Sequence, residues 1–375
     1  MSEDWDVVVA GAGIVGAACA RECALRGLRT AIVEPGEIGG GATAAGMGHI
    51  VVMDDSPAQL ALTSYSQGLW RELSSRLPAG VEYESCGTLW VASDDEEMEE
   101  VHRKRALYAS VGVGSEVLDS RALAEAEPHL RPGLAGALLV PSDGVLYPPC
   151  AAQYLLDEAI RLGARLYSSR KVVSAAAGKA ILNDGTTLRA PRILNALGAE
   201  ATALLPELPI RKRKGHLVIS DRYPGFIHHQ LVELGYLKSA HSIATDSVAF
   251  NIQPRKTGQV LLGSSRQYGA EDNTVDHSMV AAMIERARAF MPEIGTLSAI
   301  RVWTGSRAAT PDKLPMIGPW REDPTLFLAA GHEGLGITTS LGTAQLLADH
   351  LTGNPTKIPI EPFLPERFVR SPAHA

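Results

Sequence analysis

The segment DVVVAGAGIVG (residues 6–16) decides the fold of this chain. Its β-branched run, residues 6–10, predicts a strand that is buried on both faces, and the pattern GxGxxG follows at once. Residues 17–26 predict a helix, and residues 30–33 predict a second strand that ends at Glu34. This order of strand, glycine turn, helix, strand and acid is typical of a dinucleotide-binding unit.

Each part of this unit fits the binding of a dinucleotide. Gly11 permits the tight turn, Gly13 lets the backbone approach a pyrophosphate, and Gly16 lets the helix pack closely on the sheet. The helix N-terminus offers N–H groups and a positive dipole end to the phosphates. Glu34 is placed to accept hydrogen bonds from ribose hydroxyls. A glycine loop used only for packing would leave Glu34 unexplained.

A second glycine-rich segment, GGGATAAGMG (residues 39–48), follows the second strand. Its five glycines and small neighbours indicate backbone that lies against a large flat group. A flavin enzyme needs such contacts along the pyrophosphate and the ring, whereas a nicotinamide enzyme has no obvious need for them here. The alternative is a flexible surface loop.

Three later segments are further candidates for the cofactor site. Val172-Val173 could present backbone groups to an adenine edge. The strand at residues 192–196 is followed by Gly198, at the sheet edge where cofactors bind in open α/β folds. The strand at residues 326–330 leads into GHEGLGITT (residues 331–339) and a helix, whose N-terminus could face the pyrimidine side of a flavin. A packing turn is the alternative for this last segment.

Other regions indicate a second domain and solvated surface. Residues 206–300 contain recurring strand-like runs and little helix before about residue 278, which predicts a largely antiparallel sheet. The basic run at residues 211–214 is expected to be a solvated connection, although it could instead attract an acidic substrate or partner. Residues 94–105 predict a solvated helix face with i,i+4 pairs that include Glu100 and Lys104.

Length and composition limit the remaining function classes. The chain has 375 residues, enough for two domains or one large domain with an insertion. Its net charge of -7 disfavours a nucleic-acid partner. No apolar run is long enough to span a bilayer, and the acidic N-terminus leaves no room for a signal peptide, so we expect a cytoplasmic protein. The cysteines and histidines lack metal-ligand spacing, and we expect no metal.

One arginine near the C-terminus is a candidate substrate ligand. The segment WTGSRAATPDKLPMIG (residues 303–318) is dense in turn formers and contains Arg307. A guanidinium presents a planar fork that matches a carboxylate with two hydrogen bonds. Considered alone, however, Arg307 is better explained as a surface ion-pair residue.

Together these motifs resemble the D-amino acid oxidase-like flavoproteins over nearly the whole chain, with NALGA (residues 195–199) as a further match. Two stretches, AGMGH with VVMDD (residues 45–55) and HQLVELGY (residues 229–236), are similar to the β-subunit group of D-hydroxyproline dehydrogenases. Opine oxidase and hydrogen cyanide synthase subunits are related to that group. One departure is that Ala308 follows the arginine, where members of the family commonly have proline.

The resemblance implies an α/β fold with a Rossmann-like FAD-binding domain and an inserted, mainly antiparallel β-sheet substrate domain. We expect the FAD-binding domain at residues 1–86, 145–205 and 300–375, and the substrate domain at residues 87–144 and 206–299. Non-covalent FAD is expected to contact Gly11, Ala12, Gly13, Ile14, Val15, Gly16, Glu34, Pro35, Gly41, Ala42, Thr43, Ala44, Ala45, Gly46, Met47, Val172, Val173, Ala196, Gly198, Glu333, Gly334, Leu335, Gly336, Ile337 and Thr338.

The resemblance also implies a reaction and partners. Arg307 is expected to bind the carboxylate of a D-amino or cyclic imino acid, with cis-4-hydroxy-D-proline or D-proline as first choice, so that hydride passes from Cα to flavin N5 and an imine forms. His49 and Tyr236 are candidate polar groups of the pocket. Electrons would pass to iron–sulfur and flavin-containing partner subunits, which could hold the chain at a membrane, or to another respiratory acceptor. An oxygen-using glycine or sarcosine oxidase and an opine oxidase subunit remain alternatives, as do a purely structural flavin subunit and a nicotinamide dehydrogenase.

Overall fold

The computed structural model describes residues 3–235, 246–270 and 272–368. The helices are α1 (Ile14–Leu25), α2 (Pro57–Ser74), α3 (Asp95–Ser110), α4 (Ser120–Ala126), α5 (Pro148–Arg161), α6 (His277–Phe290) and α7 (Gly336–Thr352). The strands are β1 (Glu3–Asp4), β2 (Val7–Ala10), β3 (Thr30–Glu34), β4 (His49–Ile50), β5 (Thr88–Ala92), β6 (Glu116–Asp119), β7 (Gly136–Val140), β8 (Gly144–Val145), β9 (Arg165–Ser168), β10 (Val172–Ala176), β11 (Lys179–Leu182), β12 (Thr187–Arg189), β13 (Ile193–Asn195), β14 (Arg211–Arg222), β15 (Gln230–Glu233), β16 (Ser247–Pro254), β17 (Gln259–Tyr268), β18 (Ala299–Ala309), β19 (Met316–Trp320) and β20 (Asp323–Ala330).

A six-stranded sheet carries the N-terminal unit, in the order β19-β20-β13-β2-β3-β9. Its strands are parallel except for β19, which runs antiparallel to β20. Val7 and Val9 pack toward α1, α5 and α7, whereas Val8 packs toward the small sheet β1-β12-β11-β10. The strand is therefore buried on both faces, as its continuous apolar run predicts.

An eight-stranded sheet forms the second layer, in the order β18-β14-β17-β16-β15-β5-β7-β6. All its neighbouring pairs are antiparallel except β15 with β5. The expected α/β fold with a mainly antiparallel second sheet is thus confirmed. The expected domain boundary at residue 300 falls inside β18, which pairs along ten residues with β14. The domain ranges themselves stay a prediction.

The prediction that the charged side chains of two segments, residues 211–214 and 94–105, are solvated is wrong in part. In the basic run, Arg213 and Lys214 are buried, because the run begins strand β14 and alternate side chains enter opposite faces of the sheet. In α3, the Lys104 side chain is fully buried and pairs with Asp54, and its ammonium lies 4.4 Å from the centre of the Trp90 ring. Local charge patterns did not reveal these partners, which lie far away in the sequence.

Within the part of the chain that the structure describes, no helix has both the length and the apolar character that crossing a bilayer requires.

Candidate functional site

The glycine turn after β2 is closely packed against the chain around it. Gly11 has a φ of 102°, and a Cβ there would lie 2.8 Å from the Ala196 carbonyl oxygen. A Cβ on Gly16 would clash with the Gly11 carbonyl. Glu34 accepts hydrogen bonds from the backbone N–H of Ala12 at 2.7 Å and from that of Gly36 at 2.9 Å. The turn, the helix start and the acid therefore form one compact unit.

The loop at residues 41–47 joins this unit to the eight-stranded sheet. Thr43 Oγ1 accepts a hydrogen bond from the Ile14 N–H at the start of α1, at 3.0 Å. A Cβ on Gly305 would clash with that of Ala45, and the Met47 carbonyl accepts a hydrogen bond from Gln253 Nε2 at 2.6 Å. The loop is an ordered bridge, and the alternative of a flexible surface loop is wrong.

The start of α7 reaches the same loop. A Cβ on Gly46 would lie 2.7 Å from Ile337 Cδ1, so a larger residue at this position would displace the Ile337 side chain. Thr338 Oγ1 donates to the His49 carbonyl at 2.9 Å, and Trp70 Nε1 donates to the Thr338 carbonyl at 3.1 Å. Glu333 has a φ of 53° and its N–H donates to the Ala308 carbonyl at 2.9 Å. The C-terminal glycine turn thus meets the N-terminal unit.

The other residues that are expected to contact the cofactor differ in how far they are buried. Ala196 contacts Gly11, as described, and Gly198 begins a short 3-10 helix with a φ of 57°. Val172 is buried in the core, whereas Val173 is 51% exposed. The backbone N–H of Arg170, which lies just before β10, donates to the Glu34 carbonyl, so the start of β10 lies close to Glu34. The contact of Val172 and Val173 with adenine stays a prediction.

Arg307 crosses the neighbouring strand instead of leaving the sheet. Its guanidinium passes over Gly215 of β14, where a Cβ would lie 2.7 Å from Cζ. Nη1 donates to the Ser265 carbonyl of β17 at 3.0 Å. Ser265 is also held by His216, whose backbone N–H donates to Ser265 Oγ at 2.8 Å. A glycine inside a strand therefore gives Arg307 its path.

The electrostatics around Arg307 are strongly positive. Burial, followed by the charge of Arg213, lowers the pKa of Arg307 to about 10, so its guanidinium stays protonated at neutral pH. Arg213 pairs with Glu333 and donates to the Tyr268 hydroxyl at 3.2 Å. Among the described residues, no carboxylate forms an ion pair with Arg307. This arrangement favours an anion from outside the chain.

His49 lies beside this guanidinium, on β4. Burial and the nearby charge of Arg307 lower its pKa to about 4, so the imidazole is neutral at pH 7. Its buried Nδ1 has no hydrogen-bond partner among the described residues. His49 is therefore suited to a hydrogen bond with a bound molecule and poorly suited to act as a proton donor at neutral pH. The other pocket candidate, Tyr236, lies outside the described residues.

Sequence reasoning missed part of this arrangement. Arg213 and Tyr268 complete the cationic face, and Gly215 and Ser265 position Arg307. Only Gly215 could have been noticed in the sequence, because a glycine within a strand often marks a position where another group approaches the backbone closely.

A comparison with protein-family models matches residues 6–350 to the DAO family, described as FAD dependent oxidoreductase. The chain belongs to this family. Glycine oxidase of Geobacillus kaustophilus is 30% identical, covering 98% of this chain and 98% of that protein. Hydrogen cyanide synthase subunit HcnC of Pseudomonas aeruginosa is 28% identical, covering 100% and 98%.

Solved structures agree with this assignment. The crystal structure of the Geobacillus kaustophilus glycine oxidase has a TM-score of 0.87 at 27% identity and covers 98% of this chain and 100% of that one. L-proline dehydrogenase from P. horikoshii has a TM-score of 0.88 at 24% identity, covering 99% of each chain, which supports the fold. The finer resemblance to the D-hydroxyproline dehydrogenase group stays a prediction.

The residues of this DAO-family chain fit FAD. The starts of α1 and α7, at Ile14 and Gly336, both lie against the glycine-rich loop at residues 41–47. Neither N-cap residue provides a side-chain hydrogen bond, and the Ile14 N–H is bonded instead to Thr43 Oγ1 of that loop. Two helix N-termini beside one glycine-rich loop are a suitable environment for the negative charge of a pyrophosphate and a flavin edge. The chain is thus an FAD-dependent enzyme of amino acid oxidation, and the nicotinamide alternative is wrong.

Proposed function

We propose that this chain oxidises the Cα–N bond of a small D-amino or cyclic imino acid to the imine, with Arg307 as the ligand of the substrate carboxylate. The first substrates to test are cis-4-hydroxy-D-proline and D-proline. Electrons would leave through a partner subunit or another respiratory acceptor. FAD, when bound, accepts the two electrons that leave the substrate together with the Cα hydrogen.

The observation that carries this proposal is the position of Arg307. Its guanidinium is protonated, half-buried and without a carboxylate partner among the described residues. A buried charge is stable only when it is paired, and a bidentate carboxylate is its most complementary partner. The glycine-rich loop at residues 41–47, a segment expected to contact FAD, packs on the same sheet at Gly305.

The chain orients and desolvates the substrate in this proposal. Arg307 holds the carboxylate, which fixes the direction of the Cα–H bond and removes orientational freedom before reaction. The amine must be neutral to become an imine, and the cations around Arg307 favour loss of its proton to solvent. Neutral His49 can accept a hydrogen bond from the substrate at Nδ1 without adding charge, because the Gly334 backbone engages its other ring nitrogen. No strong protein base is required.

The test is anaerobic reduction of the FAD-loaded protein, followed by stopped-flow absorbance. Arg307→Lys keeps the charge and loses the planar fork, and we expect the ratio of reduction rate to Kd for D-proline to fall about 10- to 100-fold, the value of one or two charge-assisted hydrogen bonds. Arg301→Lys, an exposed position on the same strand, is the matched control. Unchanged reduction in Arg307→Lys would refute the carboxylate role.

A glycine oxidase activity is the second candidate, because the Geobacillus kaustophilus glycine oxidase is similar over the whole chain. Oxygen uptake with glycine or sarcosine, measured against dye reduction with D-proline, separates the two. Similarity to a subunit of hydrogen cyanide synthase supports the proposal of partner subunits. Purification from the native source in the cytoplasmic fraction, with co-eluting iron–sulfur absorbance, would support a hetero-oligomer.

A further inference from the structure

The backbone of His49 is fixed by neighbours on two sides. His49 lies on the short strand β4, opposite Val145 of β8. Its carbonyl accepts a hydrogen bond from Thr338 Oγ1 at 2.9 Å, at the start of α7. A Cβ on the preceding residue, Gly48, would clash with the Leu146 carbonyl oxygen. The imidazole therefore extends from a well-defined position.

Gly334 connects the His49 ring to the side chain of Arg307. The backbone of Gly334 forms a hydrogen bond with the His49 ring. A Cβ on Gly334 would lie 3.7 Å from Arg307 Nε and 3.8 Å from Arg307 Cδ. The imidazole and the arginine side chain thus contact the same residue, and a small molecule bound to Arg307 lies close to His49.

The hydrogen bond to Gly334 decides which ring nitrogen of His49 is free. This bond opposes the fall in the pKa of His49, which identifies a ring N–H as the donor and the Gly334 carbonyl as the acceptor. Nδ1 is buried and has no partner among the described residues, so the donor is Nε2. Nδ1 of the neutral ring is therefore an acceptor without a hydrogen. A buried acceptor of this kind requires a donor from a bound molecule.

An amino acid bound to Arg307 supplies such a donor. Its nitrogen is attached to the same Cα as the carboxylate, so the two groups stay close together. A neutral primary or secondary amine carries both an N–H and a lone pair. The positive charge of Arg307, which already lowers the pKa of His49, also disfavours an ammonium ion at this place. The expected donor to Nδ1 is therefore the N–H of a neutral amine.

We propose that His49 Nδ1 accepts a hydrogen bond from the substrate amine and so makes the enzyme selective for primary and secondary amines over tertiary amines. This inference rests on the proposed function, because it takes Arg307 as the ligand of the carboxylate. An N–H that points to Nδ1 fixes the direction of the nitrogen lone pair. That lone pair forms the C=N bond as the Cα hydrogen leaves with its bonding electrons to FAD, so its alignment favours reaction. A tertiary amine has no N–H and leaves Nδ1 without a partner.

Matched substrates test this selectivity. D-Proline and N-methyl-D-proline share the ring and the carboxylate and differ in the N–H, as do sarcosine and N,N-dimethylglycine in an open chain. Anaerobic flavin reduction of the FAD-loaded protein is measured for both pairs at one pH. We expect the ratio of reduction rate to Kd to be at least about tenfold higher for the N–H amine of one pair. Equal ratios within both pairs would overturn the inference.

Variants of His49 separate hydrogen bonding from steric exclusion of the added methyl group. Phenylalanine has nearly the outline of histidine without an acceptor, whereas asparagine places Oδ1 where the histidine has Nδ1. In His49→Phe we expect the ratio to fall about tenfold for the N–H amine and to change less than about threefold for the tertiary amine. His49→Asn should keep part of the selectivity. Unchanged selectivity in His49→Phe would assign it to shape and overturn the inference.

The controls distinguish this role from binding of the cofactor and from misfolding. His102→Phe, at an exposed position of α3, should leave the selectivity unchanged. His49→Leu, which also lacks an acceptor, replaces His49→Phe if the latter binds no FAD. Weaker FAD binding together with an equal loss for both amines would show that the donor to Nδ1 belongs to the cofactor, which overturns the inference. Failure of every amino acid to reduce the wild-type flavin would instead refute the proposed function.

Discussion

Substitution of Gly215 by alanine would displace the Arg307 guanidinium while leaving residue 307 an arginine. The added Cβ would lie 2.7 Å from Arg307 Cζ and Nη2, whereas ordinary contacts begin at 3.4 Å. Nη1 would lie nearer still, so the guanidinium must move by about 1 Å, because it is the flexible end of a side chain and the strand backbone is fixed by neighbours on both sides. This shift threatens the hydrogen bond to the Ser265 carbonyl, which is 3.0 Å long.

The expected loss follows from that displacement. A misplacement of about 1 Å in a binding group can cost 100-fold, so we expect the ratio of reduction rate to Kd for the best substrate to fall about 10- to 100-fold in Gly215→Ala. The free energy of unfolding should change by less than about 1 kcal/mol. Alanine loses less conformational entropy on folding than glycine does, and the guanidinium moves away from the added Cβ. Substrate reduction is measured anaerobically, and Tm is measured with FAD bound.

The matched control is Gly68→Ala, at a helical position in α2 where an added Cβ meets nothing within 4 Å. It should leave both the reduction kinetics and the FAD content unchanged. Wild-type kinetics in Gly215→Ala, with FAD bound, would show that the path of Arg307 across β14 has no part in substrate binding. A large loss of Tm together with FAD release would show that the backbone yields, which also contradicts the reasoning.

Two further predictions concern buried charge in the scaffold. Lys104→Met leaves the Asp54 carboxylate buried without its main partner, so we expect the free energy of unfolding to fall by about 3 kcal/mol. The control, Arg105→Met, changes an exposed residue of the same helix and should alter this free energy little. Denaturant unfolding measures both values. Burial raises the pKa of Asp143 to about 7, so between pH 4 and 7 the folded state binds more protons than the unfolded state, and stability should fall as pH rises through this window. Asp143→Asn should remove that part of the slope, and an unchanged Tm difference from wild type across the window would contradict it.

The N-terminal unit could be predicted from the sequence because its signals are local. A buried strand, the three glycines of residues 11–16 and Glu34 all fall within one βαβ unit, and the structure gives each the packing that its residue type implies. The hairpin turn around Asn183-Asp184-Gly185 is local in the same sense, and it joins β11 to β12. Short-range rules are sufficient where the partners are close in the sequence.

The basic run at residues 211–214 shows where such rules stop. Its composition is that of a solvated segment, yet strand geometry sends Arg213 toward Glu333 and Lys214 toward Asp272, on opposite faces of the sheet. Neither partner could be identified from the run itself, because the pairing depends on which strands become neighbours. Glu333 illustrates this limit: the sequence marks it only by its place beside a glycine turn, and its pairing with Arg213 depends on the folded chain.

This ion pair also explains how the site remains ordered with so much positive charge. Glu333 is held in a left-handed conformation, its N–H donates to the Ala308 carbonyl next to Arg307, and its carboxylate neutralises Arg213. The backbone that starts the glycine turn before α7 is thereby fixed to the strand that carries the substrate arginine. Because Glu333 neutralises Arg213, and no carboxylate of the described residues pairs with Arg307, the charge of Arg307 remains available for a substrate. The placement of a single carboxylate thus distinguishes the structural Arg213 from Arg307, the proposed ligand of the substrate.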